Sequence, residues 1–237
     1  MEKSRIISFI FSILISSSAF AEDVSKFEDY VPAGSKLLSA TTGDLNSDGK
    51  DDAVLVVEKN DPANRKQNLG LGPSELNLNP RRLLILFQKE NDYQTVLSTD
   101  KFLPAENDEE SSCLADPLGD SGGVEISKGV LKITLGYWLS CGSWSTSREE
   151  YLFRYENARF RLIGHNHHDF MRNSGEATES SANYLTGKIK IIEGMNDFGK
   201  EVSKPKIVWK KIRNNDPKYL DEVTSSSLLE ERQGYCD

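Results

Sequence analysis

Residues 53–57, Ala-Val-Leu-Val-Val, are a continuous apolar run rich in β-branched side chains, which reads as a strand covered on both faces. Working outward, residues 82–88, Arg-Leu-Leu-Ile-Leu-Phe-Gln, read the same way, and residues 93–97 form a hairpin partner across Glu90-Asn91-Asp92. Residues 130–138 alternate, with Ile133 and Leu135 set against Lys132 and Thr134. Residues 150–155 and 159–163 flank Glu156-Asn157-Ala158, a hairpin signal, and Phe160 and Leu162 face away from Arg159 and Arg161. Residues 188–192 and 206–212 continue the pattern, giving about nine or ten short strands separated by turn residues. No helical period precedes residue 216. Residues 217–231 hold a short helix with Leu220, Val223, Leu228 and Leu229 on its apolar side. The stretches 59–80 and 104–123 read as long loops. The expectation is an all-β fold, an antiparallel sandwich or partial β-propeller-like arrangement with long loops and a short C-terminal helix.

Composition sets the compartment. Residues 1–21 have a signal peptide's anatomy: Lys3 and Arg5, then an apolar stretch from Ile6 to Ile15 too short to span a bilayer, then Ala19-Phe20-Ala21. Residues 22–237 then form a single β-rich domain with no membrane span and, with no Cys at the cleavage point, no lipid anchor. The protein is expected in the periplasm or secreted. The chain of 237 residues is 37% hydrophobic with 17 Gly, enough for a sizeable core. Its net charge of −8 argues against a nucleic-acid partner, which needs a clustered basic surface, and would steer a basic partner towards it. In an oxidising compartment the three cysteines imply one disulfide. Cys113–Cys141 is the favoured pair, with Cys236 free or pinning the tail.

Immediately before the first strand, residues 43–52 read Gly-Asp-Leu-Asn-Ser-Asp-Gly-Lys-Asp-Asp. Asp44, Asn46, Asp48 and Asp52 fall at positions 1, 3, 5 and 9, and Gly49 permits the sharp turn that lets alternate side chains converge. Ca²⁺ takes six to eight hard oxygen ligands, and three carboxylates so close together repel one another without a cation. Position 12 is Leu55, where an EF-hand would carry Glu, and the flanks are strands. The loop instead resembles the calcium loop of FG-GAP/VCBS repeats, the blades of integrin-type propellers, in a single copy. The chain also resembles short exported bacterial proteins carrying one such loop. The resemblance implies a structural Ca²⁺ held by Asp44, Asn46, Asp48, the Lys50 carbonyl and Asp52, with Asp51 facing solvent.

Other constellations are weaker. His165-Asn166-His167-His168-Asp169 holds all three histidines; on a strand His165 and His167 share one face and His168 takes the other, and a polar strand end or loop is the expected setting. Ser143 lacks the elbow a serine nucleophile needs. Tyr137, Trp138 and Trp144 are expected in the core, and would form a carbohydrate or peptide platform only if exposed. The acidic run from Glu106 to Glu110 reads as a solvated loop. The first expectation is therefore an exported, Ca²⁺-stabilised β module that binds a protein or glycan partner in the cell envelope, with no catalytic residues assigned. The alternative is a metal-dependent envelope hydrolase using His165, His167 and Asp169.

Overall fold

A computed structural model describes residues 24–199 and 204–229 of the chain. The segment 1–21, Cys236 and the end of the expected helix lie outside the described residues. The first sheet has the order β1 (Ser35–Gly43), β2 (Asp52–Lys59), β5 (Arg81–Lys89), β6 (Asp92–Thr99). Between β2 and β5, β3 (Arg65–Gln67) and β4 (Glu75–Asn77) make a small hairpin. The large sheet contains β7 (Gly123–Ser127), β8 (Val130–Trp138), β9 (Ser145–Glu156), β10 (Arg159–Met171), β11 (Glu176–Asn183), β12 (Lys188–Asn196) and β13 (Lys206–Lys211), side by side in that order. Each pairs antiparallel with its neighbour. Neither sheet closes into a barrel. The protein is an all-β antiparallel sandwich.

The two sheets share one core. Val54 and Val56 of β2 and Leu83, Ile85 and Phe87 of β5 pack in one cluster with Leu131, Ile133, Leu135, Tyr151, Phe153, Phe160, Leu162, Ile189 and Ile191 of the large sheet. Phe102 wedges edge-on against Tyr151 and Phe153, at 5.1 and 5.3 Å between ring centroids. The opposite face of the small sheet is covered too. A 3₁₀ segment, Val24–Tyr30, lays Phe27 over Ala53, Leu55, Val57, Leu84 and Leu86. Burial on both faces is why β2 reads as an unbroken apolar run.

In the large sheet the alternation is one-sided. Glu149, Tyr151 and Phe153 point inward while Arg148 and Glu150 point out. The β9–β10 turn places Asn157 and Ala158 at φ 50° and 62°, the two left-handed positions of a tight hairpin. A bulge between Leu162 and Gly164 then shifts the phase of β10 by one residue. Even-numbered Phe160 and Leu162 face the core before it; odd-numbered His165 and His167 face the core after it.

Three expectations change here. Residues 59–80 are not a plain loop: they carry the 3₁₀ turn Pro62–Asn64 and the β3–β4 hairpin. Trp138 and Trp144 are not in the core, being 40% and 60% exposed, whereas Tyr137 is half-buried and packs against it as expected. The histidine segment is no strand end: it runs through the paired part of β10 between β9 and β11. The stretch 104–123 is long but tied down. Cys113 and Cys141 are joined with 5.7 Å between Cα atoms, Asn77 donates to Glu106, and buried Arg81 pairs with Asp116 and Glu58. Glu109, within the acidic run, is exposed and paired with Lys66.

The C-terminal helix, α1 (residues 225–229), is short. The Ser227 amide donates to Thr224 Oγ1 and the Thr224 amide to Ser227 Oγ, a reciprocal cap. The helix begins only at residue 225, so Leu220, in a turn, and Val223 precede it; Leu220 and Leu228 are nonetheless both buried in the shared core.

Candidate functional site

Three places in the fold gather chemistry. The first is the β1–β2 loop. Gly49 sits at φ 81°, a left-handed turn that favours glycine. Asp44 accepts the amides of Ser47 and Asp48 on Oδ1 and of Gly49 on Oδ2. Asn46 Oδ1 accepts from the Asp48 amide and Asp48 Oδ1 from the Lys50 amide. Asp52 is fully buried and accepts from Leu45 at 2.9 Å and Gln88 at 3.1 Å. Burial pushes its carboxyl above the ordinary range and the charge of Asp48 adds to this, against the backbone hydrogen bonds. Asp51 is exposed. Among the described residues no group of three His, Cys, Asp or Glu side chains is arranged to hold a metal ion. The chemistry of the loop's donors, three carboxylates and an amide oxygen, fits a hard cation.

The second place is inside the sandwich. Glu149, fully buried on β9, accepts from His165 Nε2 at 2.7 Å and also bonds His167 Nδ1. Burial pushes the Glu149 carboxyl up, but the two histidines outweigh it and hold the group below the usual range. Tyr151 stacks on His165 with 4.5 Å between centroids, and its hydroxyl donates to the Ser225 carbonyl at the start of α1. Burial pushes the Tyr137 phenol up to about 12. Asp169 is turned elsewhere and accepts from the Ser145 hydroxyl at 2.8 Å. His168, on the other face, meets Asp197. The structure thus brings His165 and His167 together on a carboxylate, and that carboxylate is Glu149. The sequence signal for Glu149 is its phase: it is two residues before Tyr151 and four before Phe153, on the inward side of β9.

The third place is the outward face of the large sheet. Antiparallel register lines up rows of side chains across it. One row runs Glu150, Asn166, Ser181, Lys190, Trp209 from β9 to β13. The next runs Arg148, His168, Glu179, Ile192, Ile207. Ser181 donates to Asn166 at 2.8 Å, Asn166 reaches Glu150 at 3.4 Å, and Arg148 pairs with Glu150 at 3.2 Å. Two clefts of about 500 and 620 Å³ lie along these rows and share Ser181 and Lys190 as walls. Trp209, 64% exposed, borders the second. Near the β8–β9 turn the guanidinium of Arg172 lies 4.9 Å from the Trp138 ring and 5.8 Å from that of Trp144, and donates to the carbonyls of Leu139 and Ser143.

The chain matches no family model, no curated protein and no solved structure.

Proposed function

We propose that this chain is an exported module that acts by binding, and that it takes a glycan of the cell envelope on the outward face of its large sheet. The observation that carries this reading is the exposure of all three tryptophans. A monomeric domain gains by burying such rings, so three left outside on or beside a rigid, polar-lined sheet are surface kept for a ligand. The polarised C–H groups of a sugar ring suit the negative face of an indole, and the Ser181–Asn166–Glu150 chain supplies fixed donors and acceptors beside it. The periplasmic or secreted location rests on the leader-like segment 1–21. The similarity of residues 44–52 to an FG-GAP/VCBS loop supports one structural Ca²⁺ on Asp44, Asn46, Asp48, the Lys50 carbonyl and Asp52, where it would relieve the repulsion felt by Asp52.

A second reading, a protein partner, is favoured by a different feature. Leu69 and Leu71 stand 91% and 70% exposed at the tip of the β3–β4 hairpin. Asn68 braces that tip, donating to the carbonyls of Leu71 and Pro73 and accepting from the Gly70 amide. The catalytic alternative has less support, since His165, His167 and Glu149 are buried and bonded to one another.

The test is retention of residues 22–237 on insoluble envelope polysaccharide. Trp209→Ala with Trp144→Ala should abolish retention, while Leu69→Ser with Leu71→Ser should leave it intact. The opposite pattern would replace the glycan reading with the protein-partner one.

A further inference from the structure

We infer that the β12–β13 end of the outward face is a subsite for an acidic sugar, its ring on Trp209 and its carboxylate held by Lys190 and Lys211; the inference rests on the glycan reading above and names the class of glycan.

Lys190 lies directly opposite Trp209, and Lys188 lies directly opposite Lys211. Directly opposed like charges destabilise an antiparallel pair. Among the described residues no carboxylate forms an ion pair with Lys188, Lys190 or Lys211. Arg148 and Lys206, by contrast, are paired with Glu150 and Glu193. Three lysines with no carboxylate partner among the described residues thus surround one exposed indole on the edge of a protein whose net charge is −8. The edge is costly to the fold by itself, and an anion between the lysines removes that cost.

The overall negative charge does not cancel this field. At physiological ionic strength screening acts over about 8 Å, so an anion at Trp209 feels the adjacent lysines far more than distant carboxylates. The shape narrows the ligand further. Trp209 supplies a flat apolar surface and the lysines point charges, while the row leading inward through Ser181 and Asn166 is neutral and hydrogen-bonding. From Trp209 on β13 to Asn166 on β10, four strands at a spacing of ~4.8 Å give that stretch a length of about 14 Å, the reach of a short oligosaccharide, before the row ends at Glu150, which is paired with Arg148. A compact inorganic anion would use the lysines and leave the row idle. A polyuronate uses both.

The test is calorimetric titration of residues 22–237 with oligogalacturonate in calcium-free buffer, beside neutral cello-oligosaccharide and phosphatidylglycerol vesicles. Oligogalacturonate should bind, and binding should weaken about tenfold on raising salt. Lys190→Ala with Lys211→Ala should weaken it at least about tenfold, and so should Trp209→Ala. Tm should stay unchanged or rise slightly in the lysine variant, because the opposed charges are gone. Cello-oligosaccharide binding that needs Trp209 but ignores the lysines would overturn the acidic-sugar inference and leave the glycan reading standing. Lysine-dependent binding to vesicles without binding to oligogalacturonate would overturn it in favour of a lipid surface. Binding to none of the three, in a protein that still adheres to envelope polysaccharide through its tryptophans, would likewise overturn only the inference. Loss of that adhesion as well would overturn both.

Discussion

β2 and β12 are both interior strands of antiparallel sheets, yet they are covered differently. The first seven of the eight residues of β2 are buried, whereas β12 buries only Ile189 and Ile191. The small sheet lies between the shared core and the Phe27 layer, so both its faces serve stability. The large sheet gives one face to the core and keeps the other outside, where register lines up tryptophan, lysine, asparagine and serine. The lesson is that substitutions in the small sheet should be felt in folding, and substitutions on the outward rows should be felt only in binding.

The largest effect expected from that contrast is in the small sheet. Leu55→Ala removes a fully buried side chain and should cost about 2–5 kcal/mol in urea unfolding. A loss below about 1 kcal/mol would mean that the sheet is not covered on both faces. Next, Cys113→Ser with Cys141→Ser opens a link across 28 residues and should cost about 3 kcal/mol, visible as a lower urea midpoint than in the oxidised parent. Calcium gives the third effect. Saturation at 100 times Kd should add about 2.7 kcal/mol, with a Tm rise that Mg²⁺ does not reproduce and that Asp44→Ala with Asp48→Ala abolishes. An unchanged Tm in both proteins would reduce the loop to a turn.

Acid should act through the large sheet's buried cluster. The folded pKa of Glu149 lies below its ordinary 4.5, so its contribution is present above about pH 4.5 and is lost as pH falls through the folded value. Glu149→Gln should therefore flatten the acid limb of the stability–pH curve. The smallest effect should come from the surface. Trp209→Ala should change stability by less than about 0.5 kcal/mol while removing glycan retention.

Much of the fold is legible in the sequence where burial imposes a period. The runs at 53–57 and 82–88 mark strands covered on both faces, and the 156–158 hairpin announces itself through Asn157. β11 is not legible, because Glu-Ala-Thr-Glu-Ser-Ser-Ala-Asn buries small or polar groups and keeps its polar alternates outward. The phase change in β10 is not legible either, since a bulge inserts one residue without a sequence mark, and it turns His165 and His167 inward onto Glu149. The exposure of Trp138 and Trp144 runs against the tendency of large aromatic rings to be buried. Such a departure is expected where surface is kept for a ligand.

The most direct test of the binding face is iodide quenching of tryptophan fluorescence, because all three tryptophans are exposed at 40%, 60% and 64%. In the free folded protein iodide should quench nearly as well as in the unfolded chain, and better than caesium, since Arg172, Lys190 and Lys211 attract the anion. Added envelope glycan should shield the rings and reduce quenching. Tryptophans already shielded in the free protein, or quenching unchanged while the protein is held on the glycan, would contradict a binding face on the large sheet.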